Sequence, residues 1–231
     1  MNKRIFSIDV LRTFAIVLMV IFHFIYDLKF FGYVDWNIPD GEGWRTFRHL
    51  IIGSFLICLG ASLHLSYRHA INWKKFRKRL FQILVSALAI TLMSLVIVPN
   101  NYIFFGVLHF IAVASVLCIM FANKPRASLL IGLCIIAIYN IGWVSDIWPF
   151  TYIRHYLPAY TNDYVGLFPW LGVVLVGIWF ASTAYLRNDP LKHFEKHTWI
   201  ALPGKHSLVI YLVHQPIFFA IFGLITLLPE G

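Results

Sequence analysis

Charge is the scarcest commodity in this chain. Only 13% of its 231 residues are Asp, Glu, Lys or Arg, and ten of those are acidic, roughly half the charge of an ordinary soluble domain. A water-soluble globule is therefore excluded. Cysteine is scarce too: Cys58, Cys118 and Cys134 form an odd set inside apolar runs, with no C-x-x-C pair. That excludes a disulfide framework and a cysteine zinc site, and buried structural thiols are expected. Neither an internal repeat nor a Pro- or Ser-rich linker divides the sequence, so a single domain over 1–231 is expected.

What is abundant is apolar surface, 60% of residues with mean hydropathy +0.75. It comes in blocks near the length needed to cross about 30 Å of hydrocarbon at 1.5 Å per residue. Spans are expected near 8–28, 47–67, 80–98, 103–122, 127–145, 165–185 and 206–228, which makes an all-α polytopic membrane bundle of about seven helices. The net charge of +9 would suggest nucleic acid in a soluble protein; here its distribution matters more than its sum, and nucleic acid is set aside as a partner. Lys3 and Arg4, the stretch Arg68 to Arg79, Lys124 and Arg126, and Arg187, Lys192, Lys196 and Lys205 fall on one side of the expected spans. The positive-inside rule then places the N-terminus in the cytoplasm and the C-terminus outside. The first span has a basic start like a signal peptide, but no small-x-small site follows it, and it is expected to stay as a mature helix.

The connectors 29–46 and 146–164 are expected to face outward. They carry Tyr33, Asp35, Trp36, Asp40, Glu42 and Trp44, then Trp148, Tyr152, Tyr156, Tyr160 and Asp163, which suit an interfacial belt and also a lip that stacks on sugar rings. The basic loop Arg68 to Arg79 suits anionic headgroups at about 1 kcal/mol per residue, or the phosphates of a coenzyme. Gly53, Gly60, Ala61, Ser62, Gly172 and Gly177 are expected to permit close helix packing.

The first span holds the chemistry. Arg12 and His23 lie eleven residues apart, three turns plus about 20° at 100° per residue, so they share a face about 16 Å apart along the axis. Asp27 follows His23 by one turn, and Asp9 precedes Arg12 by three residues. Ionisable groups at membrane depth cost about 2.5 kcal/mol or more each and turn toward the bundle interior or a wet cavity. A functional cavity lined by all four is expected. Taken singly they have plainer readings: Arg12 as a topology anchor, Asp27 as a solvated group at the outer mouth, His23 as a structural hydrogen bond. Together, a histidine with a carboxylate one turn away is a general base with an orienter, and the arginine is a fork for phosphate.

The R-x10-H spacing, within R-x-x-S-I-D-V-L-R, resembles the motif of the transmembrane acyltransferase superfamily, which includes the acyltransferase-3 proteins. The sequence is more similar to the bacterial branch of the heparan-alpha-glucosaminide N-acetyltransferase catalytic-domain family. Phe55 to Leu63, Phe105 to Ile111, Phe168 to Gly172 and Gly204 to Pro216 occur in that family's order. The resemblance implies an integral-membrane enzyme of a bacterial cytoplasmic membrane. It would move an acyl group, in the first instance acetyl, from cytoplasmic acyl-CoA to an amine or hydroxyl of a cell-envelope glycan or glycolipid, without a metal. The animal members carry asparagine where this chain has His23 and their catalytic histidine where it has Val34, so that role does not transfer directly: either it belongs to His23, as in the R-x10-H proteins, or the activity differs.

Three further histidines complete the expected site. His109 lies at a depth similar to that of His23 and is a candidate second acid/base, or else an interhelical hydrogen bond. His64 and His214 are placed near the cytoplasmic helix ends at the level of Arg12, where with it they would line a donor vestibule. Gln215-Pro216 predicts a kink and a cavity wall. Beyond lipid and glycan, a homo-oligomer is compatible with the sequence but not required by it. Two other functions stay open: a small-solute or proton-coupled transporter using the polar line as its path, and a haem electron carrier ligated by His23 and His109.

Overall fold

A computed structural model describes residues 5–158, 161 and 163–227; Lys3, Arg4 and Tyr160 lie outside the described residues. Every regular element among them is helical. The helices are α1 (Phe6–Phe30), α2 (Glu42–Tyr67), α3 (Trp73–Ile97), α4 (Val107–Cys118), α5 (Pro125–Asn140), α6 (Trp170–Ser182), α7 (Ala184–Arg187), α8 (Leu202–Lys205) and α9 (Ser207–Thr226), with short 3-10 turns between them.

Each of the seven expected spans contains an apolar helix, but four of these helices are long and apolar enough to cross a membrane alone: α1, α2, α3 and α9. α6 and the helical stretch after it reach that length only as a pair bent by 61°, and the helical segments Val107–Phe121 and Pro125–Asn140 fall short. The shortfall is local. Gly106, in extended backbone, caps α4 inside its expected span, and α5 begins at Pro125 but ends already at Asn140, where Gly142 takes a φ of +83° that a helix cannot continue. α3 carries a stripe of outward Phe81, Leu84, Leu88, Leu92 and Val96 at three- and four-residue spacing, Val96 being 83% exposed. A face that is apolar and unpacked in this way suits lipid.

The chain divides into two compact units. One comprises residues 56–188. Its core is built on close backbone approach: a Cβ on Gly60 would meet the Val174 carbonyl oxygen at 2.0 Å, one on Gly177 the Ile57 oxygen at 2.6 Å, and one on Gly172 the Gly132 oxygen at 2.6 Å. The small residues that promised tight packing in the sequence thus seat α6 between the second half of α2 and α5. Cys58 and Cys118 are buried as expected, but Cys134 is exposed, because it shares the outer face of α5 with exposed Leu130, Ile131 and Leu133. In the same unit the connector before α4 is stitched to the connector between α5 and α6, which is also bonded within itself. Thr161 Oγ1 donates to the Tyr102 carbonyl at 2.8 Å, the Val107 amide to Asp163 at 3.3 Å, and Tyr164 to the Asp146 carbonyl at 2.9 Å.

The other unit comprises, of the described residues, 5–55 and 189–227. α1 begins where a distant carboxylate caps it. Asp189, with φ at +50°, takes the Phe6 and Ser7 amides at 2.8 and 2.9 Å and also the Ser7 hydroxyl. Those first amides have no partner within a helix, and the helix dipole favours negative charge there. Ser7 Oγ returns a bond by accepting the Leu191 amide at 3.0 Å. The connector from Asp189 is thereby tied to α1, and α8 and α9 are laid against it. The core of this unit is Ile16, Met19, Phe22, Ile38 and Ile51, with Trp44, Phe47, Ile210 and Tyr211 packed on it.

Candidate active site

α1 and α8–α9 run parallel, and one contact sets their register. Gly204 donates its amide to Thr13 Oγ1 at 2.9 Å, and a Cβ there would meet the Asp9 oxygen at 2.1 Å and Arg12 Cβ at 3.0 Å. Ten residues beyond Gly204 is His214, and ten beyond Thr13 is His23. At a common rise of 1.5 Å per residue the contact at one level recurs at the other. The two imidazoles accordingly meet with ring centroids 4.8 Å apart and planes at 73°. The match continues outward: Gln215 Nε2 donates to Asp27 Oδ1 at 2.7 Å, and Phe24 packs on Phe218 and Phe222.

The expected polar line therefore does face inward, toward α8–α9, but it is not one cavity. Its lower part is the Asp9–Arg12 ion pair at 3.0 Å beside Thr13 and Gly204. Its upper part is His23, Asp27, His214 and Gln215. Between the two lie Ile16 and Met19, both 2% exposed, in the apolar core with Ile210 and Tyr211. Arg12 is thus separated from His23 by a greasy layer. Helical periodicity had put the four groups on one face, but it could not show what fills the interval.

His214 is a second correction. Placed by hydropathy at the level of Arg12, it belongs instead to the His23 level, because α8 extends the helical path below α9 and shifts the register upward. α9 runs unbroken through Pro216; the proline has no amide to give to the Leu212 carbonyl.

The tautomers follow from the acceptors. His23 Nδ1 lies 3.0 Å from the Met19 carbonyl and His214 Nδ1 lies 3.1 Å from the Ile210 carbonyl, each one turn back on its own helix. A carbonyl can only accept, so both rings carry their proton on Nδ1 and present Nε2 as a lone pair. His23 is half-buried and His214 buried. The orienter of His23 is therefore the Met19 carbonyl rather than Asp27, whose bonded oxygen serves Gln215. Sequence reasoning named Gln215 only as part of a kinked cavity wall and missed both its bond to Asp27 and the backbone orienters. A polar residue beside His214 at the depth of an acidic one was the available signal.

The remaining expected site residues lie in the other unit, each with a structural partner. His109 accepts the Gly106 amide on Nδ1 at 3.3 Å, which places its proton on Nε2, 3.3 Å from Thr91 Oγ1. Thr91 passes its own hydroxyl to the Ile103 carbonyl at 2.6 Å. Both nitrogens are engaged, and the ring closes the first turn of α4. His64 is buried, and its Nδ1 donates to the Ala122 carbonyl at 2.7 Å, tying α2 to the end of the α4 segment. No group of three or more His, Cys, Asp or Glu able to hold a metal ion occurs among the described residues.

Comparison with curated proteins and with solved structures returns no match. A family model does match, over residues 4–216, that of the heparan-alpha-glucosaminide N-acetyltransferase catalytic domain. The match covers nearly the whole chain, including α1, α8 and the part of α9 that carries His214 and Gln215. With apolar helices long enough to span a bilayer and a histidine pair at their contact, this integral-membrane protein belongs to the heparan-alpha-glucosaminide N-acetyltransferase catalytic family.

Proposed function

We propose that this protein transfers an acetyl group from acetyl-CoA to an amine or hydroxyl of a glycan or glycolipid, with His23 as the general base. The observation that carries the reading is the pair of imidazoles whose Nδ1 protons are held by the Met19 and Ile210 carbonyls, leaving two Nε2 lone pairs at one level of the α1–α9 contact. The acceptor's X–H bond meets such a lone pair as X attacks the thioester carbon. The proton moves to His23 Nε2, the C–S bond breaks, and the thiolate takes the proton back. His23 is the half-buried and so the more accessible ring; His214, at its edge, fixes its position and disfavours any displacement toward α9. Family membership supports acetyl transfer and a glycan acceptor.

The same reading moves the donor's phosphates away from Arg12, which is paired with Asp9 below the apolar layer. The clustering of basic residues on one side of the spans supports a cytoplasmic N-terminus in a bacterial cytoplasmic membrane. The test is to incubate purified, detergent-solubilised protein with radiolabelled acetyl-CoA and an envelope lipid extract. Label should pass to a glycan or glycolipid with the natural chain and not with His23→Ala, which should keep its thermal transition. Full transfer by His23→Ala would refute the assignment of the base.

A further inference from the structure

Between Glu42 and Asp146 the chain has no acidic residue. Within that stretch the first two turns of α3 carry Lys74, Lys75, Arg77, Lys78 and Arg79, all exposed. Lys74 with Lys78 and Lys75 with Arg79 are like charges four residues apart on one helix, and such pairs repel. Lys124 and Arg126, exposed as well, lie at the same end of the unit, because His64 in the last turn of α2 donates to the Ala122 carbonyl just before them at 2.7 Å. The acidic residues of residues 56–188, Asp146 and Asp163, belong to the connector that meets the start of α4, the far end from Ala122. The basic patch therefore draws no counter-charge from its own stretch of chain.

Beside it lies a crevice of opposite character. Where α2 ends and α3 begins, Leu59, Leu63, Phe76, Leu80 and Ile83 wall a cleft that Arg79 also lines. Tyr67 stands at its polar end with its ring 5.9 Å from that of Phe76, and from there to Leu59 is about 12 Å along α2. Ser62 and Ser115 share the lining, but their hydroxyls donate to the Cys58 and Ile111 carbonyls at 2.5 and 2.6 Å. What the cleft offers an occupant is hydrocarbon along its walls and cations at one end. A soluble anion would leave the walls uncovered, and a neutral lipid would leave the charge unanswered. An amphiphile with a negative head answers both. The outward stripe of Phe81, Leu84 and Leu88 puts lipid against the same helix.

We infer that this crevice binds one anionic phospholipid, with the phosphate on Lys75 and Arg79 and one acyl chain laid between α2 and α3. Arg79 lines the cleft, and Lys75 precedes it by one turn on the same side of the helix. Every residue of the site falls within residues 56–188, so the inference is independent of the transfer chemistry assigned to His23.

The test is native mass spectrometry of the full-length protein in detergent, titrated with dioleoyl phosphatidylglycerol and dioleoyl phosphatidylcholine. One phosphatidylglycerol per chain should be retained, about tenfold more tightly than phosphatidylcholine, and dihexanoyl phosphatidylglycerol, with the same head and short tails, should bind about tenfold more weakly than the dioleoyl lipid. Lys75→Gln/Arg79→Gln should bring the two dioleoyl lipids within about twofold, while Lys192→Gln/Lys196→Gln, which removes as much charge outside this unit, keeps the preference. Equal retention of the two dioleoyl lipids, equal retention of long- and short-tailed phosphatidylglycerol, or an undiminished preference in Lys75→Gln/Arg79→Gln overturns the proposal. So does an equal loss in Lys192→Gln/Lys196→Gln, which would mean diffuse attraction to basic surface. Coenzyme A displacing dioleoyl phosphatidylglycerol at equal concentration overturns it too, since the cations would then serve soluble phosphates. If the Lys75→Gln/Arg79→Gln protein does not fold, Lys75→Gln at its exposed position decides alone: the preference should fall by about threefold, and an unchanged preference overturns the site.

Discussion

Gly204→Ala adds one methyl group far from any reacting atom, and the structure makes it a severe perturbation. The new Cβ would stand 2.1 Å from the Asp9 carbonyl oxygen, 2.9 Å from the Thr13 amide nitrogen and 3.0 Å from Arg12 Cβ. Two of these atoms are backbone, so no rotamer change relieves them. Ordinary contact needs about 3.5 Å, and α8 must retreat from α1 by more than about 1 Å. Overpacking of this kind costs about 1–3 kcal/mol, and the retreat also stretches the Gly204–Thr13 hydrogen bond, 2.9 Å long, worth about 1 kcal/mol. Because His214 sits ten residues above Gly204 on the same helical path, the displacement reaches the His23–His214 pair and the Gln215–Asp27 bond. A lower thermal transition in detergent and a loss of transfer activity of about tenfold or more are expected, although no polar group has been removed. The assays are thermal unfolding followed by tryptophan fluorescence and acetyl transfer at saturating donor. A Gly204→Ala protein with natural stability and natural activity would refute the argument that this contact sets the register of the site.

Asp189→Ala removes the acceptor of the Phe6 and Ser7 amides and should destabilise the protein by about 1–2 kcal/mol, read from thermal unfolding; an unchanged transition would mean that water replaces the cap at no cost. His109→Ala should lower stability by about 1 kcal/mol for each of its two bonds, while activity per folded molecule stays near that of the natural chain; selective loss of turnover would return His109 to the reaction. Burial, helped by the Asp146 carboxylate and opposed by Arg154, pushes the Tyr164 hydroxyl up to about 12 from an ordinary 10.0. The unfolded chain then ionises this group first as pH rises, so Tyr164 lowers stability progressively from about pH 10 to about 12. Tyr164→Phe should flatten that part of a stability-versus-pH curve, and an identical slope in the two proteins would count against the burial of this hydroxyl.

The membrane site is economical in a physical sense. Within the unit that holds it, each polar group of the upper cluster is fixed by a neighbour that costs nothing extra to position. Both imidazoles hang on carbonyls of their own helices, and the carboxylate is held by a side chain adjacent to one of those imidazoles. Rigid helix-borne groups of this kind need little reorganisation when charge moves, which is the condition for electrostatic stabilisation in a dry site. The alternative of a conducting path gains nothing from this arrangement, since the apolar layer of Ile16 and Met19 interrupts the polar line on α1.

The sequence by itself determined the class of protein, because hydropathy in blocks of membrane length is a one-dimensional property that no tertiary arrangement can undo. It also determined that Asp9, Arg12, His23 and Asp27 share one face of α1, since helical periodicity depends only on local geometry, and that Gly60, Gly172 and Gly177 mark close approaches. Tertiary structure alone decided which groups meet across helices. The register between α1 and α9 depends on one glycine against a threonine, and a shift of a few residues there would move His214 from His23 back toward Arg12, where hydropathy had placed it. Only the folded chain could reveal that Asp27 turns to Gln215 and His23 to Met19, because a buried hydrogen-bonding group takes whichever partner packing brings within reach. For the same reason His64 and His109, chemically equal to His23 in the sequence, became a tie between segments and a helix cap.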